Sequence, residues 1–192
     1  MKQIFYGPTG CGKSHIILHN LPKRKKVVII TTNGLTMEFR TVGLYTPIIE
    51  IPIFAKITED GSGTHFSVDN SFVLNTEFHS MIGFDLYRIP CLNRSFAMQA
   101  VIKWLEAAGV ANDPEYTIVF INIYEHINNP EFVQVIEKWS ADIIVEHTCD
   151  KRSVEFYTEL EYITMSPEWF LIPVLIRHDE NNICGGKNNG KK

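Results

Sequence analysis

Gly7-Pro8-Thr9-Gly10-Cys11-Gly12-Lys13-Ser14 follows directly on the apolar run Ile4-Phe5-Tyr6 and leads into His15-Ile16-Ile17-Leu18. The octet is a complete G-x-x-x-x-G-K-[ST] pattern, and its flanks are those such a loop needs, a strand that delivers it and a helix that leaves it. Glycines at 7, 10 and 12 open backbone conformations closed to residues with a Cβ, so that successive N–H groups form a concave nest for a phosphate. Lys13 is then placed for β- and γ-phosphates and Ser14 for Mg²⁺, and the helix start adds its positive dipole end. The predicted ligand is a nucleoside triphosphate, ATP with Mg²⁺. Its cradle is Gly7, Pro8, Thr9, Gly10, Cys11, Gly12, Lys13, Ser14 and His15, with Ser14 as the metal ligand.

The 192 residues suffice for one α/β domain with a core and are too few for two comfortable ones. The predicted unit is residues 1–184, and 185–192 form a polar, Gly- and Asn-rich tail with nothing to bury. At a formal net charge of −4 the chain is no nucleic-acid binder by bulk charge, which leaves DNA or RNA to a local basic patch. Lys23-Arg24-Lys25-Lys26, after the first helix, reads first as a solvated loop favouring the negative helix end, and second as a nucleic-acid contact or import signal. Cys11, Cys91, Cys149 and Cys184 contain no C-x-x-C pair, as expected of reduced thiols in an intracellular compartment. No apolar run approaches a membrane span, and no signal peptide fits an opening that enters the loop's strand at once.

Along the chain, the loop's helix should run to Leu21-Pro22 and be followed by the strand Val27-Val28-Ile29-Ile30, a right-handed crossover unit. Residues 46–75 read as an inserted hairpin, with short β-rich runs around Glu59-Asp60-Gly61-Ser62-Gly63. Leu86-Tyr87-Arg88-Ile89 is a predicted strand and Ser95 to Ala108 a predicted helix with Phe96, Val101, Ile102 and Leu105 on its buried face. Tyr116 to Ile121 is a continuous apolar run of the kind a parallel sheet buries on both faces. A helix from Pro130 to Trp139, a strand Asp142 to Val145 and antiparallel strands at Val154–Ile163 and Phe170–Arg177 complete the prediction.

The loop, a strand ending in Thr31-Thr32-Asn33-Gly34, the later apolar strand Tyr116–Ile121 and a run of terminal strands resemble the ATPase core of RecA-superfamily recombinases, and in particular their shortened paralogs. The resemblance implies a P-loop NTPase fold, a RecA-like and mostly parallel sheet flanked by helices, with additional antiparallel C-terminal strands. It also implies a base at residue 33 and a metal-holding aspartate at 122, where this chain has Asn33 and Asn122. Asparagine hydrogen-bonds a water but takes no proton, and loss of a positioned base costs about 10²–10⁴-fold in rate. Binding is expected to outlive hydrolysis. Glu38 or Glu125 are the alternatives for a missing carboxylate. No N-terminal helical domain is expected before Met1-Lys2-Gln3, and the stretch between Asn122 and Asp142 is short for an extra strand plus a DNA-binding loop. The resemblance thus implies pairing with one RecA-like ATPase rather than polymerisation, a hetero-oligomer that meets DNA indirectly or through a small basic patch, and a nuclear setting.

His15 and His19 lie four apart on a helix, a spacing that binds metal, yet no third ligand is evident and a structural pair is the simpler reading. Trp104, Trp139 and Trp169 read as core or subunit-contact residues. Arg88, Arg94, Arg152 and Arg177 are the candidate phosphate-sensing arginines. The leading expectation is a nucleotide-binding, weakly or non-hydrolysing subunit of a recombination or repair complex. A small nucleoside or small-molecule kinase and a RecA-like scaffold subunit of an Elongator-type complex are the alternatives, while a translocating motor is disfavoured by Asn33 and Asn122.

Overall fold

The structure is a computed structural model that describes residues 1–7, 11–21, 26–35, 39–40, 47–69, 81–123, 130–148, 161–164 and 174–176. Pro8, Thr9, Gly10, Glu38, Glu125, Arg152, Trp169, Arg177, most of the basic run and the tail lie outside these residues. The chain builds β1 (Lys2–Gly7), α1 (Lys13–His19), β2 (Lys26–Thr31), β3 (Ile49–Glu50), β4 (Ile53–Ile57), β5 (Thr64–Val68) and β6 (Met81–Asp85). There follow α2 (Cys91–Ala107), a 3₁₀ turn (Val110–Asn112), β7 (Tyr116–Ile121), α3 (Pro130–Lys138), β8 (Asp142–Thr148), β9 (Glu161–Thr164) and β10 (Val174–Ile176).

One eight-stranded sheet has the order β10-β9-β1-β8-β7-β2-β6-β3, parallel at every pairing except β9–β10. Its central strands are mainly apolar because both faces are covered, and the polar residues they do bury include Thr117 of β7 and Glu146 and His147 of β8. Ile4, Val28, Ile30, Ile118, Phe120, Ile143 and Val145 point to one face, under α2 and α3, where Val101, Trp104, Leu105, Phe132 and Ile136 meet them. Their strand neighbours Phe5, Val27, Ile29, Val119, Ile121 and Ile144 face the other way, under Ile16, Ile17 and Leu18 of α1. Period-two alternation of the strands thus divides the core into two clusters. Among the described residues, no helix is long and apolar enough to cross a membrane.

The α/β class, the mainly parallel sheet with flanking helices and the inserted hairpin follow the sequence reading. β1 and β2 are parallel but not neighbours, because β8 and β7 are laid between them. Several expectations are corrected. The helix expected from Ser95 starts at Cys91, and Phe96, expected on its buried face, is 56% exposed, while Ala97, Met98, Val101, Trp104 and Leu105 are buried. Residues 86–89 form a turn, and the strand lies just before it, at Met81–Asp85. Asp85 forces that end: its Oδ2 accepts from Leu35 N (3.0 Å) and its Oδ1 from Tyr87 N (2.8 Å), while Arg94 Nε donates to Ile89 O (3.0 Å). Gly83, mid-strand, made the stretch read poorly as a strand. It is there for closeness, since a Cβ on it would meet Leu35 Cδ2 at 2.3 Å. At the C-terminus the expected antiparallel pair is formed by β9 and β10, and β9 also joins β1 in parallel.

β4 and β5 pair antiparallel as a separate two-stranded sheet, and β5 packs on α2. The tip is closed by Asp60 Oδ1, which accepts from Ser62 N (3.0 Å) and Ser62 Oγ (2.7 Å), and by Thr58 Oγ1, which accepts from Gly63 N (2.9 Å). Hydrogen bonds from Thr58 and then Ser62 hold the exposed Asp60 carboxyl at about 2, against an ordinary 3.8. A lowered carboxyl favours the folded turn above the unfolded value, and that contribution disappears as pH falls through about 2. An NMR titration should therefore give Asp60 a midpoint near 2; a midpoint at the ordinary value would mean the turn is open in solution.

Candidate functional site

The carboxyl ends of β1, β8, β7 and β2 lie side by side, and the side chains that carry chemistry gather there. Gly7 is the last residue of β1. Gly12 has φ +88°, a left-handed conformation that glycine takes without a steric penalty, and it turns the chain into α1, whose first bond runs from Ile16 N to Gly12 O (3.0 Å). Asn20 ends α1, its Nδ2 donating to Ile16 O at 2.8 Å. Lys13 and Ser14 therefore open a short helix pressed onto the sheet by Ile16, Ile17 and Leu18.

Lys13 is 3% exposed, an unusual place for an ammonium unless the charge is answered. Its Nζ donates to Gly7 O at 3.0 Å, lies 3.7 Å from Cys11 Sγ and 4.0 Å from Glu146 Oε1. Ser14 Oγ donates to Glu146 Oε2 at 2.9 Å. One buried carboxylate thus meets both side chains with which the loop would hold phosphate and metal. Register explains it: Glu146 pairs with Phe5 across β8 and β1 and, two residues beyond Ile144, lies on the face that α1 covers.

Glu146 is the residue that sequence reasoning missed. The strand expected over Asp142 to Val145 continues to Thr148. An acid directly after four strand residues, at the carboxyl edge of a buried parallel strand, was the available signal.

Asn122 does stand at the end of β7, in a left-handed conformation (φ +57°) and 7% exposed. Thr32 Oγ1 donates to its carbonyl, and its Nδ2 donates to Asn33 Oδ1; Asn33 N in turn donates to Thr31 Oγ1 at 3.1 Å. The two asparagines the sequence singled out are thus brought together, as a neutral clasp between β7 and β2. Asn122 Oδ1 is buried without a hydrogen-bond partner among the described residues. β2 is three strand spacings from β1, about 14 Å, so Asn33 lies well to the side of the loop's own strand.

Of the other candidates, Cys11 is fully buried beside Lys13, and His15 lies against His19 with ring centroids 4.2 Å apart and the planes tilted by 39°. Arg94 is committed to the Ile89 and Tyr87 carbonyls, and Arg88 is exposed in the turn after β6. The donor set around Ser14 is hydroxyl and carboxylate oxygen, the hard chemistry that suits Mg²⁺ shared with phosphate oxygens and water. Among the described residues no group of three or more His, Cys, Asp or Glu is placed to enclose a metal.

Among the described residues, fold and site together define an α/β protein with a mainly parallel sheet that carries Gly7, the Gly12 turn into α1, a buried lysine and a buried carboxylate at its carboxyl edge. The chain matches no protein-family model, no curated protein and no solved structure.

Proposed function

We propose that this chain binds ATP with Mg²⁺ through Gly7 to His15 and hydrolyses it slowly. The observation that carries the reading is the ammonium of Lys13, buried at the sheet's carboxyl edge between a backbone carbonyl and a carboxylate. A buried cation directly after Gly12, followed at once by Ser14 in a G-x-x-x-x-G-K-[ST] sequence, supports an anion site for a triphosphate. Gly7, Lys13 and Ser14 would hold phosphate and metal; Mg²⁺ would neutralise charge on the phosphate oxygens.

Slow turnover is supported by what the described residues place around the loop, Glu38 and Glu125 lying outside them. Asn33 and Asn122 are neutral and clasp each other, while the Glu146 oxygens face Ser14 and Lys13. None of these is disposed to take a proton from water, a deficit of about 10²–10⁴-fold. The likeness to recombinase cores supports a role for bound nucleotide in ordering one face for a partner ATPase of a recombination or repair complex.

Binding and turnover of ATP and GTP, measured with and without single-stranded DNA, test the reading. The expected result is saturable binding with turnover below about 0.1 s⁻¹, against the 1–10³ s⁻¹ common for enzymes. No affinity for either nucleotide rejects the site; brisk DNA-stimulated turnover rejects the slow-hydrolysis part. A pull-down that recovers no RecA-like ATPase removes the partner.

A further inference from the structure

We propose that Glu146 supplies the carboxylate of the metal shell, and that through its hold on Ser14 and Lys13 it sets opposite preferences for metal-free and metal-bound triphosphate. The proposal rests on the nucleotide reading above and assigns a part of the site to a strand other than the one the family resemblance implies. That resemblance looks for the acid at the end of β7, where Asn122 is neutral and gives its amide to Asn33. β7 is not the neighbour of β1, however; β8 is. The Phe5–Glu146 register brings the acid under the first turn of α1.

Two distances define its role. Glu146 Oε2 and Ser14 Oγ are 2.9 Å apart. Two cis ligands at the 2.0–2.1 Å bond lengths of octahedral magnesium are separated by about the same length, so the pair suits one small divalent cation. Glu146 Oε1 is 4.0 Å from Lys13 Nζ, with both side chains more than nine-tenths buried and screened little by solvent.

A buried ammonium answers a carboxylate and an incoming phosphate in competition, and the carboxylate itself repels polyphosphate. A divalent cation on the Glu146 oxygens removes both effects and leaves Lys13 to the phosphates. The negative charge at 146 therefore opposes nucleotide without metal and favours it with metal. A carboxylate that served only to pack the lysine would not divide in that way.

Glu146→Gln separates the two contributions, since the amide keeps an oxygen for the Ser14 hydroxyl and loses the charge. Calorimetric titration with ATP, in Mg²⁺ and in EDTA, gives the ratio of affinities for each protein. Wild type should show a Mg²⁺ enhancement of about tenfold or more. In E146Q, affinity in EDTA should rise about 3–10-fold and the enhancement fall to within about twofold. Glu146→Asp, which keeps the charge on a shorter arm, should leave the EDTA affinity near wild type and lower the enhancement; it carries the same test if E146Q melts below assay temperature. A variant that keeps the wild-type ratio overturns the proposal while leaving the nucleotide site standing. Wild type that binds ATP in neither buffer overturns both.

Discussion

Lys13→Ala should weaken ATP affinity by about two orders of magnitude or more, the cost of truncating one partner of a desolvated charge pair. The lysine donates to Gly7 O and neighbours Glu146, so its charge is already oriented before any phosphate arrives. Calorimetry or a fluorescent ATP analogue gives the number, and a change under about threefold would dismiss the lysine from the site. Removal of the ammonium also strands Glu146, which is 6% exposed, and leaving a buried charge without its partner costs about 3–5 kcal/mol of stability. The double variant Lys13→Met with Glu146→Gln removes both charges. It should melt close to wild type and still fail to bind, which divides the loss of ligand from the loss of fold.

Phe120→Ala should cost about 3–5 kcal/mol, much of the 5–15 kcal/mol that holds a typical domain. Phe120 is fully buried on β7, between Ile30 of β2 and Val145 of β8, and its ring meets Phe132 of α3 edge-on at 5.3 Å between centroids. The residue is the hinge pin between the middle of the sheet and the helix layer. Its truncation leaves a cavity that strands paired on both sides cannot close. Urea unfolding with an unchanged slope and a midpoint lowered accordingly is the expected record. A loss below about 1 kcal/mol would show that α3 collapses onto the gap.

The class of the fold was legible because its signals are local. Tyr116–Ile121 is apolar but for Thr117, is buried at every position and emerges with the predicted bounds, as a strand covered on both faces must. The hairpin was marked by its turn residues. What failed was where tertiary closeness decides: Gly83 is a poor strand former that is kept because Leu35 crosses it, and the order of strands in a sheet leaves no mark on the stretch that forms it. The site divides along the same line. Lys13 and Ser14 are spaced along the chain and could be read, whereas Glu146 is brought to them by register with Phe5, and nothing near residue 14 announces it. Asn33 and Asn122 were noticed one by one as substitutions; that they hold each other is a fact of β2 lying beside β7.

The Ser14–Glu146 bond joins residues 132 apart in the chain. A ribosome adding about 5–20 residues per second releases the loop on the order of ten seconds before the acid that completes it. Through that interval the nascent chain exposes β1 with no β8 beside it, an unpaired apolar edge open to wrong neighbours. Nascent chains stopped short of residue 146 would carry Lys13 and Ser14 without the carboxylate that meets both, so the contact tying the start of α1 to β8 is made only after the strands from β1 to β7 have been synthesised.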